Sequence, residues 1–344
     1  MGVKLGDLIP EEIVEKIELE HLRGRAIALD AYNILYQFVT IIRGQDGRPL
    51  MDSRGRITSH LSGLFFRTIN FLKAGMKPIY VYDGRPPELK KQAIEKRMER
   101  RTEAAVLYRE ALEEGRIEEA RKYAQQAATL DEFIVESSKK LIGLMGLPVI
   151  QAPSEGEAQA AYMASKGDAY ASASQDMDSL LFGSPRLVRN LSIVGKRKLP
   201  GRKEYVEVVP ELIYLSKLLD ALKITRENLI DIGILVGTDY WEGVKGIGPK
   251  KALKLIKDYG SAENVLKHLQ ITPEVDLEKI RDIFLNPNVL ESYKIEWGEP
   301  DYQAIEEFLC GEHDFSVDRV RKALTELKET MKEERGRTSL DAWL

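Results

Sequence analysis

Short apolar segments that end at an aspartate are the feature of this sequence that most restricts its fold. Residues 26–29 (AIAL) lead into Asp30, and residues 79–82 (IYVY) lead into Asp83. Apolar runs of this length, ended by Asp, are typical of buried parallel strands. Between them, apolar residues recur at helical spacing over 59–73. The pattern predicts an α/β fold with a twisted, mostly parallel central sheet and helices on both faces.

Other segments extend this pattern along the chain. Further strand candidates are 148–151, 169–174, 186–188 and 205–209, and helix candidates are 211–222, 228–236, 249–258 and 317–332. The 344 residues would suffice for about two domains. No Ser/Gly-rich linker separates the helical second half, so we expect those helices to pack on the sheet.

The composition restricts the class of protein. Hydrophobic residues make up 43% and charged residues 31%, which favours a soluble globular chain. The net charge of −4 gives no overall signal for nucleic acid, so any basic surface must be local. The single cysteine, Cys310, excludes a disulfide framework and a multi-cysteine zinc site. No apolar run approaches the ~18 residues of a membrane span, and the N-terminus resembles no signal peptide, so we expect an intracellular protein.

Residues 88–146 are helical in pattern and dense in charge. The first part, 88–101, carries six basic and three acidic residues, and 108–127 has the pattern of a helical hairpin around Gly115. A charge-rich helix is usually a solvated face. This one has a basic excess and begins five residues after Asp83, which places it over the predicted carboxyl edge of the sheet.

Seven acids lie outside charge-balanced helix faces, and they predict a metal site. They are Asp30, Asp83, Glu155, Glu157, Asp176, Asp178 and Asp239. Simpler interpretations exist: Ser154 and Glu157 have the spacing of a capping box, and Asp178 is able to cap the turn into 180–182. If the seven converge, their repulsion requires cations. Two divalent ions about 4 Å apart would satisfy it and would also activate a water for phosphodiester hydrolysis.

Two basic segments indicate contact with a phosphate backbone. Gly246 and Gly248 precede a helix that carries Lys250 and Lys251, and 244–257 contain five lysines and no acid. Glycine amides, a helix N-terminus and lysines together form a phosphate cradle. A second run, 186–203, has seven Lys/Arg and no acid, and its glycines suggest a loop that either binds DNA or only adds solubility.

Several aromatic and histidine residues permit more than one interpretation. Tyr36 lies one to two helical turns after Asp30, where it either stacks on a base or belongs to the core. Trp241 is a core residue or a substrate contact, and the sequence does not decide. The histidines show no ligand spacing, so we assign no metal role to His21, His60, His268 and His313.

These segments resemble the structure-specific 5′ nucleases, and most closely the archaeal flap endonucleases. The resemblance runs almost from end to end and is carried by DAYNILYQF (30–38), VYDGRPPELK (81–90), APSEGEA (152–158), QDMDSLLFG (175–183) and GTDYWEGVKGIGPKKA (237–252). It implies a 5′ flap endonuclease with 5′-3′ exonuclease activity that acts in Okazaki fragment maturation and DNA repair. Such an enzyme hydrolyses a phosphodiester at the flap junction and leaves a 5′-phosphate.

The resemblance also implies roles for the acids and for the charged helices. Two Mg²⁺ ions, for which Mn²⁺ can substitute, would be held near Asp30, Asp83, Glu155 and Glu157 (first ion) and near Asp176, Asp178 and Asp239 (second ion). Residues of about 84–135 would form a helical arch over the 5′ strand. Lys90 and Arg97 would support charge on the scissile phosphate, and Tyr36 would stack on the flipped nucleotide.

DNA contacts are implied around this centre. A helix–two-turn–helix of about 230–258, often with a K⁺ ion, would hold the duplex, and Thr58 would help to bind a 3′ flap. The residues expected at DNA are Gly2, Arg43, Thr58, Arg100, Arg101, Gly246, Gly248, Lys250 and Lys251.

The domain division follows from the same resemblance. One nuclease domain would span 1–336, with an N-terminal region of about 1–102 and an internal region of about 140–262. Residues 337–344 look like a free tail and resemble a sliding-clamp motif, with contacts from Arg337, Leu340, Trp343 and Leu344. Arg337 stands where the motif usually has Gln, and Leu344 stands where it has a second aromatic residue, so we expect altered clamp binding. We expect the protein to be a monomer. The alternatives are a 5′ nuclease that acts mainly as an exonuclease and an inactive DNA- or clamp-binding scaffold.

Overall fold

Strands in two sheets form the centre of the fold. The computed structural model describes residues 2–44, 48–193, 195–198 and 205–341. Within them the strands are β1 (Val14–Lys16), β2 (Ala26–Asp30), β3 (Lys77–Tyr82), β4 (Val149–Gln151), β5 (Ala171–Ala173), β6 (Arg186–Arg189), β7 (Gly195–Lys198), β8 (Tyr205–Val208) and β9 (Glu211–Tyr214). β7 and β8 pair only with each other, in a separate antiparallel ribbon.

The main sheet has seven strands in the order β1-β9-β6-β5-β2-β3-β4. Strands β6, β5, β2, β3 and β4 are mutually parallel, and β9 and β1 complete one edge in antiparallel pairing. Ala28 of β2 lies opposite Ile79 of β3 and Ser172 of β5. The carboxyl ends of the central strands therefore meet at one edge, as the predicted mostly parallel sheet requires.

Helices cover this sheet and extend beyond it. They are α1 (Ala31–Ile41), α2 (Ser59–Lys73), α3 (Lys91–Glu113), α4 (Ile117–Gln126), α5 (Glu132–Leu144), α6 (Gly156–Lys166), α7 (Asp178–Leu181), α8 (Leu215–Leu222), α9 (Arg226–Val236), α10 (Pro249–Tyr259), α11 (Ala262–His268), α12 (Leu277–Leu285), α13 (Tyr302–Glu306) and α14 (Val317–Asp341). Among the residues described, no helix has the length and apolar character needed to cross a bilayer.

Successive residues of the central strands pack against different helical layers. Ile27 and Leu29 of β2 and Tyr80 of β3 belong to a core shared with α1, α2, α5 and α14. Ala28 and Ile79 belong to another core, which contains residues of α6 on the opposite face. This period-two alternation confirms the prediction of a sheet with helices on both faces.

Two predicted boundaries are wrong in the region after β5. The helix expected over 211–222 begins only at Leu215, because Glu211–Tyr214 forms β9 between β6 and β1. Leu212 and Ile213 are both fully buried, one in each of two different cores, as in a strand covered on both faces. The strand predicted at 186–188 is confirmed as β6, but the loop expected in the rest of the basic run 186–203 contains β7.

The C-terminal segment begins as a continuation of the last helix. α14 continues from Val317 through Asp341, so the backbone of Arg337 and Leu340 is helical. Trp343 and Leu344 lie outside the described residues.

Two histidines that the sequence left without a role are buried beside the α2–α5 contact. His60 is fully buried and its Nε2 lies 2.8 Å from Ser137 Oγ, which itself donates to the carbonyl of Phe133. His60 Nε2 is therefore the donor to Ser137, and its buried Nδ1 has no hydrogen-bond partner among the described residues. Burial, with His313 nearby, lowers the pKa of His60 to about 3.

We expect His60 to make the folded state sensitive to acid. The pKa of His60 is depressed in the folded state. As the pH falls through 6.5, His60 is therefore protonated in the unfolded chain but stays neutral in the folded chain. Its effect on stability is absent at neutral pH and destabilising below pH 6.5, by on the order of 2 kcal/mol at pH 4.5. Urea unfolding at several pH values should show that the free energy of unfolding falls less steeply with decreasing pH in His60→Asn than in the unsubstituted protein. If the free energy of unfolding had the same pH dependence in both proteins, His60 would not be the source of the acid sensitivity.

Candidate functional site

Six of the seven predicted acids follow the carboxyl ends of adjacent parallel strands. They are Asp30 at the end of β2, Asp83 after β3, Glu155 and Glu157 after β4, and Asp176 and Asp178 after β5. Asp239 approaches from another direction, in the turn after α9. The sheet order β5-β2-β3-β4 places these strand ends side by side.

Backbone and hydroxyl donors orient several of these carboxylates. Asp30 accepts from the amide of Asn33 at 3.0 Å, and Asp83 accepts from the amide of Gly156 at 2.7 Å. A Cβ on Gly156 would lie 2.8 Å from Asp83 Oδ1, so only glycine allows this contact.

The simpler interpretations of Glu157 and Asp178 are wrong. The N-cap of α6 is Glu155, without a side-chain capping bond, and Glu157 instead accepts from Ser179 Oγ at 3.1 Å. Asp178 Oδ1 accepts from the amide of Val3 at 2.7 Å, near the chain's beginning. Both side chains are used for contacts between segments and not for capping their own helices.

Burial and mutual repulsion make the carboxyl groups hard to ionise. Burial, followed by the charge of Asp83, raises the pKa of Asp30 to about 8. Burial also raises the pKa of Asp178 to about 7, with Asp239 among the charges that add to it. The pKa of Glu157 is raised well above its usual value by burial and then by Asp178. The seven acids therefore act on one another as one cluster.

Lys90 and Arg97 lie among the carboxylates. Lys90 Nζ forms ion pairs with Glu155 and, at 3.2 Å, with Asp239 Oδ2, and Arg97 pairs with the other oxygen of Asp239. Burial alone would lower the pKa of Lys90, but Glu155 and Asp239 raise it. Two cations thus offset part of the charge of seven acids.

The donor set fits hard divalent ions, because every candidate ligand is a carboxylate oxygen. Within the part of the chain that the structure describes, no three His, Cys, Asp or Glu side chains are already arranged to hold one ion. Lys90 and Arg97 are paired with Glu155 and Asp239 in this arrangement. Ion binding therefore requires side-chain rearrangement around those pairs.

Gly2 and Tyr36 lie close to the cluster or to its helical cover. A Cβ on Gly2 would approach the Asp176 Cβ to 2.7 Å and Asp178 Oδ2 to 2.8 Å. Tyr36 is half-buried and packs against a small core, while the Arg101 guanidinium lies 5.3 Å from its ring centroid. Tyr36 therefore serves partly as a core residue.

Two residues expected at DNA have local structural partners. The Arg43 guanidinium donates to the carbonyls of Thr40 and Ala124, each at 2.9 Å, which joins the end of α1 to α4. Thr58 is only 4% exposed. The structure does not bring either residue into the acid cluster.

The predicted helix–two-turn–helix agrees in outline with α9, a turn of 237–248 and α10. Gly248 is the N-cap of α10, and Gly246 has a φ of +84°. Gly246, Gly248, Lys250 and Lys251 are exposed, as is Arg100 on α3. Trp241, left undecided by the sequence, is half-buried and its backbone pairs with Thr238.

Sequence reasoning missed two polar residues that touch the acids. The Tyr240 hydroxyl donates to Glu155 Oε2, and Asn33 Nδ2 donates to Asp176 Oδ2 at 3.3 Å. Tyr240 directly follows Asp239, and Asn33 comes three residues after Asp30. The only signal in the sequence was that each residue lies near one of the predicted acids. It does not reveal that Tyr240 contacts Glu155 or that Asn33 contacts Asp176.

The turn that carries Asp239 depends on a close backbone crossing, which gives a test. A Cβ on Gly243 would lie 2.5 Å from Gly237 N and 2.6 Å from Leu235 O, whereas Gly246 has a positive φ but open space. We expect Gly243→Ala to lower the free energy of unfolding by about 2 to 4 kcal/mol and Gly246→Ala by about 1 kcal/mol. Urea denaturation measures both, and equal losses would show that the crossing is not tight.

Two models of one nuclease family match parts of this chain. Residues 1–104 match the XPG N-terminal domain, and residues 146–239 match the XPG I-region. The chain is 58% identical to flap endonuclease 1 of Pyrococcus abyssi, over 100% of this chain and 98% of that protein. It is 57% identical to flap endonuclease 1 of Pyrococcus furiosus, over 100% of this chain and 99% of that protein.

Solved structures share the fold. Flap endonuclease-1 from Methanococcus jannaschii is similar with a TM-score of 0.75 and 43% identity, over 97% of this chain and 100% of that chain. The catalytic core of Rad2 in complex with DNA substrate is similar in fold, with a TM-score of 0.72 and 22% identity, over 95% of this chain and 100% of that chain. The resemblance found in the motifs is confirmed, and the chain belongs to the flap endonuclease 1 family.

Proposed function

We propose that this protein is a metal-dependent nuclease that cuts branched DNA where a 5′ single-stranded flap meets duplex. The observation that carries the proposal is the cluster of seven carboxylates at the carboxyl edge of the sheet, with Lys90 and Arg97 paired into it. A structural cluster would not need so many acids together, because burial and neighbouring carboxylates make Asp30, Glu157 and Asp178 costly to ionise without a cation.

The carboxylates divide into two groups that suit two Mg²⁺ ions, with Mn²⁺ as a substitute. Asp30, Asp83, Glu155 and Glu157 would hold one ion, and Asp176, Asp178 and Asp239 the other. When bound, the ions supply an activated water and stabilise the leaving oxygen of a phosphodiester, which leaves a 5′-phosphate. Asn33, Ser179, Val3 and Gly156 fix carboxylates through hydrogen bonds, so their orientation does not depend on the ions.

Lys90 and Arg97 supply positive charge to the scissile phosphate in this proposal. Both already lie at the acid cluster, and Arg97 comes from α3 of the α3–α4 hairpin, which fits the expected arch. A phosphate that approaches the cluster offers these cations an alternative to Glu155 and Asp239. Tyr36, with Arg101 beside its ring, offers a stacking surface below the same hairpin.

The duplex would lie against the exposed N-terminus of α10. Gly246, Gly248, Lys250 and Lys251 form a solvent-facing cradle there, and a K⁺ ion at the same turn is part of the proposal. Gly2, Arg43, Thr58 and Arg100 would contribute contacts nearer to the junction. We place all of these elements in one nuclease domain of 1–336.

The C-terminal segment from Arg337 would bind a sliding clamp, with Leu340, Trp343 and Leu344 as apolar contacts. The composition of this segment supports the proposal, although Arg337 and Leu344 depart from the usual motif. The protein would act as a monomer in complex with the clamp and DNA.

Single-turnover cleavage of an end-labelled double-flap DNA, read at nucleotide resolution, tests the function. We expect one cut at the junction with Mg²⁺ and none with EDTA. Asp176→Ala should abolish the cut and leave the DNA affinity largely unchanged, because Asp176 is not part of the lysine cradle. A ladder from the 5′ end would favour an exonuclease, and binding without cutting would favour a scaffold. Full cleavage by Asp176→Ala would refute the two-metal assignment.

Lys90 and Arg97, which pair with the acid cluster, can be compared with Lys96, which lies between them in sequence and does not. Lys90→Ala and Arg97→Ala should each slow the chemical step by about 10²-fold or more with little change in DNA affinity. Lys96→Ala is the control, because the exposed Lys96 pairs with Glu242 outside the acid cluster. Single-turnover rates and binding titrations separate the two effects. A loss of affinity alone would make this segment a binding surface only.

A further inference from the structure

Arg226, the first residue of α9, uses its guanidinium to join two other helices. Its Nε donates to the carbonyl of Leu181 at 3.0 Å, and its Nη2 donates to the carbonyl of Phe284 at 2.6 Å. Leu181 is the last residue of α7, and Phe284 lies in the last turn of α12. One half-buried cation therefore satisfies carbonyls at two helix C-termini, where positive charge is favourable.

Gly183 allows the guanidinium to lie close to the loop after α7. A Cβ at this position would be 2.7 Å from Arg226 Cζ and 2.9 Å from Nη1. Gly183 also has a φ of +85°, which other residues rarely adopt. The guanidinium and this loop thus have a fixed relative position that a side chain on residue 183 would disturb.

The segments that Arg226 joins carry candidate metal ligands. α7 begins with Asp178, and the ring of Phe284 lies 5.5 Å from that of Tyr240, whose hydroxyl donates to Glu155. The other end of α9 leads into the turn with Asp239. Arg226 is therefore connected to carboxylates on three different segments.

We propose that Arg226 is a positioning residue that holds Asp178 and its neighbours at the correct separation from Asp239. The inference rests on the proposed function, since the ligands that it positions are those of the proposed metal centre. α9 is a rigid element between Arg226 and the turn that carries Asp239, because its central residues Ile230, Ile232 and Ile234 are fully buried. Loss of the guanidinium removes the hydrogen bond that ties α7 to α9, and the remaining side-chain bonds of α7, from Val3 to Asp178 and from Ser179 to Glu157, do not reach α9. Apolar packing between α7 and α9 does not fix a polar geometry to within the tolerance that catalysis needs.

A second arginine in the same helical layer provides a matched control. Arg281 on α12 donates to Asp231 of α9 at 2.6 Å and to Glu263 of α11 at 2.8 Å. These ion pairs hold α9, α11 and α12 together, and neither of the two partners lies on α7. Arg281→Met should destabilise the layer at least as much as Arg226→Met, without moving the segment that bears Asp178.

The test compares Arg226→Met, Arg226→Lys, Gly183→Ala and Arg281→Met at a temperature where all four are folded. Single-turnover cleavage of flap DNA and its Mg²⁺ dependence are measured, along with the Kd for the same DNA in EDTA. We expect Arg226→Met and Gly183→Ala to lower the rate about tenfold and to raise the half-saturating Mg²⁺ concentration, with Kd changed less than about twofold. Arg226→Lys should recover part of the rate, and Arg281→Met should retain all of it.

A readout without cleavage separates this inference from the proposed function. Mg²⁺ should raise the Tm of the unsubstituted protein and of Arg281→Met, and should raise that of Arg226→Met distinctly less. Equal Mg²⁺ responses in Arg226→Met and Arg281→Met, with equal rates, would overturn the positioning role. If the unsubstituted protein leaves flap DNA intact, the proposed function fails, and the Tm comparison still decides the role of Arg226.

Discussion

Repulsion among seven acidic side chains at one edge of the sheet is the constraint on which the surrounding structure depends. Burial and neighbouring charge raise the pKa values of Asp30 and Asp178 to about 8 and about 7. Lys90 and Arg97 offset part of this charge from a segment that lies outside the sheet. These ion pairs attach the charged hairpin to the site, in addition to the hydrogen bond of Arg43 to the Ala124 carbonyl of α4.

The acids reach this edge by two different structural routes. Parallel strands bring six of them together, because adjacent parallel strands end on the same side. Asp239 depends on the packing of α9 and on the Gly237–Gly243 crossing beyond it. The first group is fixed by hydrogen bonding of the sheet, whereas the last acid is fixed by helix packing. Errors in helix packing would therefore move Asp239 relative to the six acids at the sheet edge and leave those six in place.

The same distinction explains what the sequence could predict. Apolar runs ended by Asp30 and Asp83 identified the sheet, its parallel character and its acidic edge, because a buried parallel strand has a local signature. Glu211–Tyr214 was expected to be helical, since strand and helix cannot be separated by periodicity in so short an apolar segment. The spacing of Ser154 and Glu157 equally fits a capping box, and only tertiary contact with Ser179 decides against it. Contacts such as Tyr240 with Glu155 join residues 85 apart in sequence and leave no local pattern.

Buried and exposed cations have different roles in such a protein. Lys250 and Lys251 are exposed, so they remain hydrated and can exchange counterions for a phosphate backbone with strong salt dependence. Lys90 is largely buried with Glu155 and Asp239, where removal of one partner leaves an uncompensated charge. In the proposed function, divalent ions would neutralise Glu155 and Asp239, and the phosphate would become the new ion-pair partner of Lys90. Under that proposal, the buried pairs would favour simultaneous binding of metal and DNA over binding of either alone.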